Sequence, residues 1–290
     1  MRIKSKGEKV FSVVNYALLA LLGVAFVLPY VLILVMSFTS TDSYYHKGYS
    51  LFPESLTLEG YRMIFGRGSE IYTAFYNTLL ITFLGTLIGL VCTAPVAYAL
   101  SRKRLFGRRF FNGLIVFAML FSGGLIPSFL LLASLNMLNT YWSIVVPGAL
   151  VPWYCILIRT YFMSIPDSLE ESAKLDGAGH FTVLFRIVLP LALPSIATIG
   201  LFCAVGAWNE YFNALIYINN RAIVPIQVYL REILLNAGSA DLNNMDLMLL
   251  VAQEAVRGAT VFAATVPILL IYPFLQKYYV QGMTTGAIKE

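Results

Sequence analysis

The sequence is poor in charge. Only 12% of its 290 residues are Asp, Glu, Lys or Arg, about half the roughly 25% of a soluble domain. That shortage excludes an ordinary water-soluble globule. Cysteine is scarce too. Cys92, Cys155 and Cys203 fall inside apolar runs, with no metal-ligand spacing or disulfide framework, and each reads as a small buried hydrophobe. Histidine is scarcer. His46 and His180 are far apart and on opposite predicted sides of a membrane, so no Ser/His/Asp set or metal cluster emerges that would suit a membrane-embedded glycosyltransferase or protease. There is no G-x-x-x-x-G-K-[ST] run, so any ATP hydrolysis must belong to another chain. An ion channel would need a charged ring or a filter-like loop, and neither is visible. There is no internal repeat and no low-complexity tract, and the net charge of +5 is not concentrated into a nucleic-acid footprint.

What the sequence has is apolar length. No charged residue occurs from Val10 to Thr41, from Ile71 to Ser101 or from Phe110 to Ile158. A membrane-spanning helix needs roughly 20 apolar residues. The pattern predicts an all-α integral membrane protein, a single domain over 1–290, with about six spans near 13–38, 71–100, 110–133, 141–158, 187–209 and 258–276. The basic start MRIKSKGEKV precedes an apolar stretch too long for a signal peptide, which predicts a retained first helix. Short helices are expected at SLTLEGYRMIF and near Ile226–Leu235. With six spans and the N-terminus inside, fourteen of the twenty Lys and Arg fall on the cytoplasmic side, five of them in SRKRLFGRRF at Ser101–Phe110. Cytoplasmic loops are enriched in these residues, so both termini are expected in the cytoplasm.

A polar insert, 166–186, lies between the fourth and fifth predicted spans. Pro166 suits a first helical turn. Asp167 and Glu170 have the spacing of a capping box, and Gly177 stands where a helix should stop. Phe181, Leu184, Phe185 and Val188 then recur at i, i+3, i+4 and i+7, one face of a second helix. Leu169 and Ala173 offer a matching stripe on the first. The expectation is a rigid helix pair with Glu170, Glu171 and Lys174 facing outward. A capped connecting loop is the plain alternative.

Glu171-Ser172-Ala173, three residues, Gly177, nine residues, then Ile187-Val188-Leu189-Pro190 resembles the EAA loop of bacterial ABC importer permeases. The one departure is Ser172 for alanine, and Asp176-Gly177-Ala178 is similar as well. In that family the insert is a coupling helix pair held by a cytoplasmic ATPase dimer, whose ATP-driven closure switches the membrane helices between inward- and outward-facing states (the type I importer fold). The resemblance implies that Glu171 makes polar contacts with the ATPase. It implies that Ala173, Asp176, Gly177 and Ala178 form the close-approach turn. Phe181, Leu184 and Phe185 would hold the pair together, and Ile187, Leu189 and Pro190 would complete the motif.

Other stretches resemble the carbohydrate-uptake, maltose-type branch over nearly the whole chain. They include Leu28-Pro29-Tyr30, Asn77-Thr78, Ala97-Tyr98-Ala99-Leu100-Ser101-Arg102 and Ala207-Trp208-Asn209-Glu210-Tyr211. Met119–Pro127 looks like an oligo- and polysaccharide subgroup. The tail at 277–290 resembles one that reaches into the ATPase dimer interface, which would place Gly282, Gly286 and Lys289 there. The resemblance implies a second homologous permease, a cytoplasmic ABC ATPase dimer carrying the ATP, and an extracytoplasmic solute-binding protein that delivers a sugar. It implies no cofactor on this chain. Sugars are recognised by aromatic faces and amides. Candidates for the substrate pathway are Tyr76, Asn77, Tyr154, Trp208, Asn209 and Asn213, against the plain reading that interfacial aromatics occur in any membrane protein. An importer of amino acids, peptides or phosphate would share the same loop and remains open here. So does the sign of charge on the sugar.

Overall fold

A computed structural model describes residues 6–236 and 254–273. These form helices joined by short loops, with one isolated antiparallel bridge between Thr39 and Leu56. Helix α1, Lys6–Ser37, carries Pro29 in its interior. Then come α2, Thr41–Lys47, and α3, Glu59–Ile64. Helix α4, Ile71–Ser101, contains Pro95. Prolines persist inside such helices because neighbouring groups in a bilayer protein re-satisfy the freed carbonyls. Next are α5, Arg108–Leu120; α6, Leu125–Ser134; α7, Trp142–Val145; and α8, Pro152–Phe162. The polar insert holds α9, Asp167–Leu175, followed by α10, His180–Leu191. Helices α11, Leu193–Trp208; α12, Phe212–Tyr217; α13, Ile226–Asn236; and α14, Glu254–Pro273, complete the described chain. The short helices expected near 55–65 and 226–235 appear as α3 and α13.

Among the described residues, three helices are long and apolar enough to cross a membrane: Gly7–Ser37, Ile71–Ser101 and Glu254–Pro273. Two bent pairs raise the number to five if each is one span. The expected span at 110–133 is α5 plus α6, bent by 113°. The break sits at Ser122-Gly123-Gly124, where Phe121 turns extended and Gly124 has a φ of 86°. The expected span at 187–209 is α10 plus α11, bent by 84°. Here Leu184–Val188 winds as a π-helical turn ahead of Pro190 and Pro194. A π turn and proline are recognised causes of sharp kinks. The stretch 141–158 divides into α7 and α8 around Pro147, with Pro152 opening α8. Apolar run length was therefore readable from sequence, whereas glycine pairs and clustered prolines set where the runs break.

The chain clusters into two compact units: Met1–Ile71 with Leu230–Val266, and Tyr72–Tyr229 with Pro267–Glu290. In the first, α1 and α14 approach closely. A methyl group added at Gly258 would sit 2.9 Å from the Ser37 amide nitrogen and 3.2 Å from the Ile33 carbonyl. Small residues permit such backbone contact between membrane helices. In the second, a buried cluster joins Ala97, Tyr98 and Leu100 of α4, Cys155, Ile158 and Phe162 of α8, and Val183, Leu184 and Val188 of α10. Helix α8 also packs on α5 and α11.

Candidate coupling hairpin and pathway residues

Helix α9 starts and ends as its sequence dictates, with one difference. Pro166 occupies the N-cap and no side chain caps the helix, so the Asp167/Glu170 capping box does not form. Both carboxylates stay in the first turn, where they complement the helix dipole, and turn toward the basic segment after α4. Asp167 lies 3.8 Å from Arg102 and 3.6 Å from Lys103. At the other end Gly177 adopts a φ of 84°. The Ala178 amide donates to the Ala173 carbonyl at 2.9 Å and the Gly177 amide to the Lys174 carbonyl at 3.0 Å. These two bonds make a Schellman motif. Ala173 and Ala178 both pack on the buried cluster, so the turn is closed by hydrogen bonds and held by apolar contact.

Glu170 does not face outward. It is 7% exposed, and its two oxygens are divided among three partners. Arg102 donates to Oε2 at 2.5 Å. Tyr98 donates to Oε1 at 3.1 Å and Lys174 reaches the same atom at 2.8 Å. The Arg102 guanidinium also donates to Ser101 Oγ and to the Phe162 carbonyl. Burial alone would raise the Glu170 carboxyl. The hydrogen bond from Lys174, the Arg102 charge and the Tyr98 hydroxyl outweigh it and hold the group below the usual carboxylate range. Breaking such a pair by removing one partner leaves a buried charge uncompensated, typically at a cost of about 3–5 kcal/mol.

This clip was the feature sequence reasoning missed. Arg102 lies in the basic segment and Tyr98 in the Ala97–Arg102 stretch, but nothing in their spacing ties them to Glu170, 68 residues after Arg102 and 72 after Tyr98. The available signal was charge complementarity between the end of α4 and the first turn of α9.

The second helix departs from expectation in its buried face. Val183, Leu184 and Val188 are buried, whereas Phe181 is 77% exposed and Phe185 is exposed as well. The two phenylalanines therefore do not hold the hairpin together. The i, i+3, i+4 pattern assumes an unbroken α-helix, and the π turn from Leu184 to Val188 shifts Phe185 off that face; Phe181 lies in the turn before it, and its exposure has no such cause. Leu175, 89% exposed, shares this outward surface character. Glu171 is exposed, 4.0 Å from Arg104. Asp176 and Pro190 are exposed, and Ile187 and Leu189 are half-buried. A cavity of about 840 Å³ opens between the basic segment and the hairpin, walled by Tyr98, Arg102, Glu170, Glu171, Phe181 and Leu184. Gly282, Gly286 and Lys289 lie outside the described residues.

The pathway candidates separate in character. Asn77, 1% exposed, is fully engaged. Its amide donates to the carbonyls of Ala222 and Val224, both at 3.0 Å, and its Oδ1 accepts from the Tyr141 hydroxyl at 2.7 Å. The adjacent Thr78 hydroxyl accepts from the Ile226 amide at 2.7 Å. Asn77 and Thr78 thus clamp the 222–226 segment to α4, and Asn77 has no donor left for a sugar. Tyr154 stacks on Phe202 with centroids 6.1 Å apart. Tyr76 is exposed, the Asn209 side-chain amide donates to the Val205 carbonyl of the preceding helix, and the Asn213 backbone N–H donates to the Glu210 carboxylate. Trp208 is 5% exposed, lies against Phe75, and its Nε1 is buried without a hydrogen-bond partner, as is Thr82 Oγ1. Both residues line a cavity of about 70 Å³ that also touches Ile268 and Tyr272. None of the other five candidates walls it.

The chain matches the family described as "binding-protein-dependent transport system inner membrane component" over residues 85–285. It is 38% identical over 284 residues to the polygalacturonan/rhamnogalacturonan transport system permease protein YtcP of Bacillus subtilis, covering 97% of this chain and 99% of that one. It is 38% identical to protein LplC of the same organism over 286 residues, covering 98% and 97%. Among solved structures, it is similar to a chain of a bacterial ABC transporter involved in the import of the acidic polysaccharide alginate, with a TM-score of 0.86, 32% identity, and coverage of 96% of this chain and 100% of that one. An all-helical architecture with membrane-length spans, a broken-helix insert and a profile match over most of the sequence lead to one conclusion: the chain belongs to the inner-membrane permease family of binding-protein-dependent ABC importers.

Proposed function

We propose that this permease forms part of the pore of an ATP-driven importer for oligosaccharides, with the acidic polysaccharides of its relatives as the first candidates for the parent polymer. The observation that carries the mechanism is the α9–α10 hairpin. Its inner face is fixed to α4 and α8 by the Glu170 clip and the Val183–Val188 contacts, while Leu175, Phe181 and Phe185 are left exposed. Apolar side chains left exposed on a polar, well-anchored element suit a protein partner. The ATPase dimer takes that place, with Glu171 and the Asp176-Gly177-Ala178 turn at the contact. Closure of the ATPase pushes the hairpin, and its attachment to α4 and α8 passes the displacement to the membrane helices. The remaining parts of the reading are six spans, both termini in the cytoplasm, the C-terminal tail at the ATPase interface, a second homologous permease and an extracytoplasmic binding protein.

Trp208 is the pathway residue that the geometry favours. A buried indole N–H without an acceptor is costly, and a passing hydroxyl would satisfy it together with Thr82. In proteoliposomes holding the whole importer, a binding protein loaded with oligogalacturonate or alginate oligosaccharide should stimulate ATP hydrolysis, and amino acids or peptides should not. Equal stimulation by a peptide would overturn the saccharide assignment. Replacing Leu175, Phe181 and Phe185 together by serine should uncouple uptake from hydrolysis while the permease still assembles in the membrane. Unchanged uptake would remove the hairpin from the mechanism.

A further inference from the structure

We propose that the cavity between the start of α5 and the end of α8 binds the phosphodiester headgroup of an anionic phospholipid. It is separate from the hairpin and takes no part in the function proposed above. Its volume is about 420 Å³, and Arg108, Arg109, Arg159 and Asn112 line it together with apolar side chains that include Ile115 and Cys155. Arg108 Nε and Arg159 Nε donate to one and the same acceptor, the Leu100 carbonyl, at 3.0 and 3.2 Å. Two cations are thus brought together on a neutral oxygen. Among the described residues no carboxylate pairs with Arg108, Arg109 or Arg159, and no Asp or Glu walls the cavity. The contrast within the same loop is sharp. Arg102, Lys103 and Arg104 all reach acidic residues of α9.

Like charges converge without a counter-ion at a net electrostatic cost, and an anion between them reverses its sign. Guanidinium forks match phosphate oxygens in pairs. Asn112 adds a neutral polar group, its amide now held by the Arg108 carbonyl at 2.7 Å. The rest of the wall argues for a lipid over a soluble anion. Arg108 and Arg109 open a helix whose following residues, FFNGLIVFAML, are almost all apolar, so the arginines sit at the rim of a membrane-facing surface. Ile115 and Cys155 would then line the first part of an acyl chain. Basic pockets between membrane helices are a known physical setting for phospholipid headgroups.

The test uses the purified importer complex in detergent, stripped of lipid and titrated with dioctanoyl phosphatidylglycerol, dioctanoyl phosphatidylcholine or inorganic phosphate. Bound lipid is counted by native mass spectrometry. The expected result is saturable phosphatidylglycerol binding at least five-fold tighter than phosphatidylcholine, and not displaced by phosphate at the same concentration. Arg109 is exposed, so Arg109→Gln should leave the fold intact while weakening phosphatidylglycerol about five-fold, the effect of one basic charge near an anionic headgroup. Arg109→Lys should restore most of it, and Arg62→Gln, in the other unit, should change nothing. Equal affinity of wild type and Arg109→Gln would overturn the site. Displacement of the lipid by equimolar phosphate would overturn the lipid as its ligand in favour of a free anion.

Discussion

The Arg102 guanidinium lies 4.8 Å above the ring of Tyr98, one helical turn back at the end of α4, and the two side chains converge on a single carboxylate from α9. The cation–π contact orients the guanidinium, and the Tyr98 ring in turn meets Phe162 edge-on at 6.4 Å. One buried acid therefore draws α4, α8 and α9 to a common point.

Replacing that acid should loosen the hairpin. Glu170→Ala leaves the half-buried Arg102 without its main partner, and is expected to destabilise hairpin docking by roughly 3 kcal/mol. Hydrogen exchange at the amides of α9 should accelerate strongly, and ATP-driven uptake should fall with it. Glu171→Ala, at an exposed position, should leave the exchange pattern unchanged. Unaltered α9 protection in the Glu170 variant would refute the clip.

The same group gives a pH dependence with a definite sign. The folded Glu170 carboxyl is held below its ordinary value of about 4.3. Its contribution is fully present above that ordinary value and is lost as pH falls through the lower folded value. The melting temperature of the wild-type complex should therefore exceed that of Glu170→Gln by a constant margin between pH 6 and 8, and the two should converge below about pH 4. A margin that grows on acidification would contradict the assignment.

Asn77→Ala should behave as a structural lesion. It removes three hydrogen bonds in a buried setting and leaves two carbonyls and a tyrosine hydroxyl to find new partners, an expected loss of about 2–4 kcal/mol. Uptake rates should decline for every accepted substrate in equal proportion. Selective loss of one sugar would instead return Asn77 to the pathway.

Gly258→Ala tests the approach of α1 to α14. The added methyl meets backbone atoms that cannot rotate away, so the helices must separate, and overpacking of this kind costs about 1–3 kcal/mol. A lowered melting temperature is expected. Gly23→Ala, where a methyl meets nothing within 4 Å, serves as the neutral comparison.

Much of this was legible in the sequence, and the reasons are local. Charge-free stretches marked the long helices because a bilayer imposes length and apolarity together. Gly177 announced the end of α9 because the left-handed turn there excludes side chains at little cost only for glycine. What the sequence concealed was non-local or depended on an irregular backbone. The Glu170 clip joins positions far apart in the chain. The exposure of Phe185 goes with a π turn that a regular 3.6-residue period cannot anticipate. Asn77 carried the right chemistry for a sugar, and only its three protein partners reveal that it is already occupied.

The Schellman turn at Gly177 and Ala178 has a mechanical corollary. It locks the tip of the hairpin from within, so the tip keeps its form without a partner. A subunit that cups such a tip meets a finished ball rather than a loose strand, and little ordering entropy opposes their union.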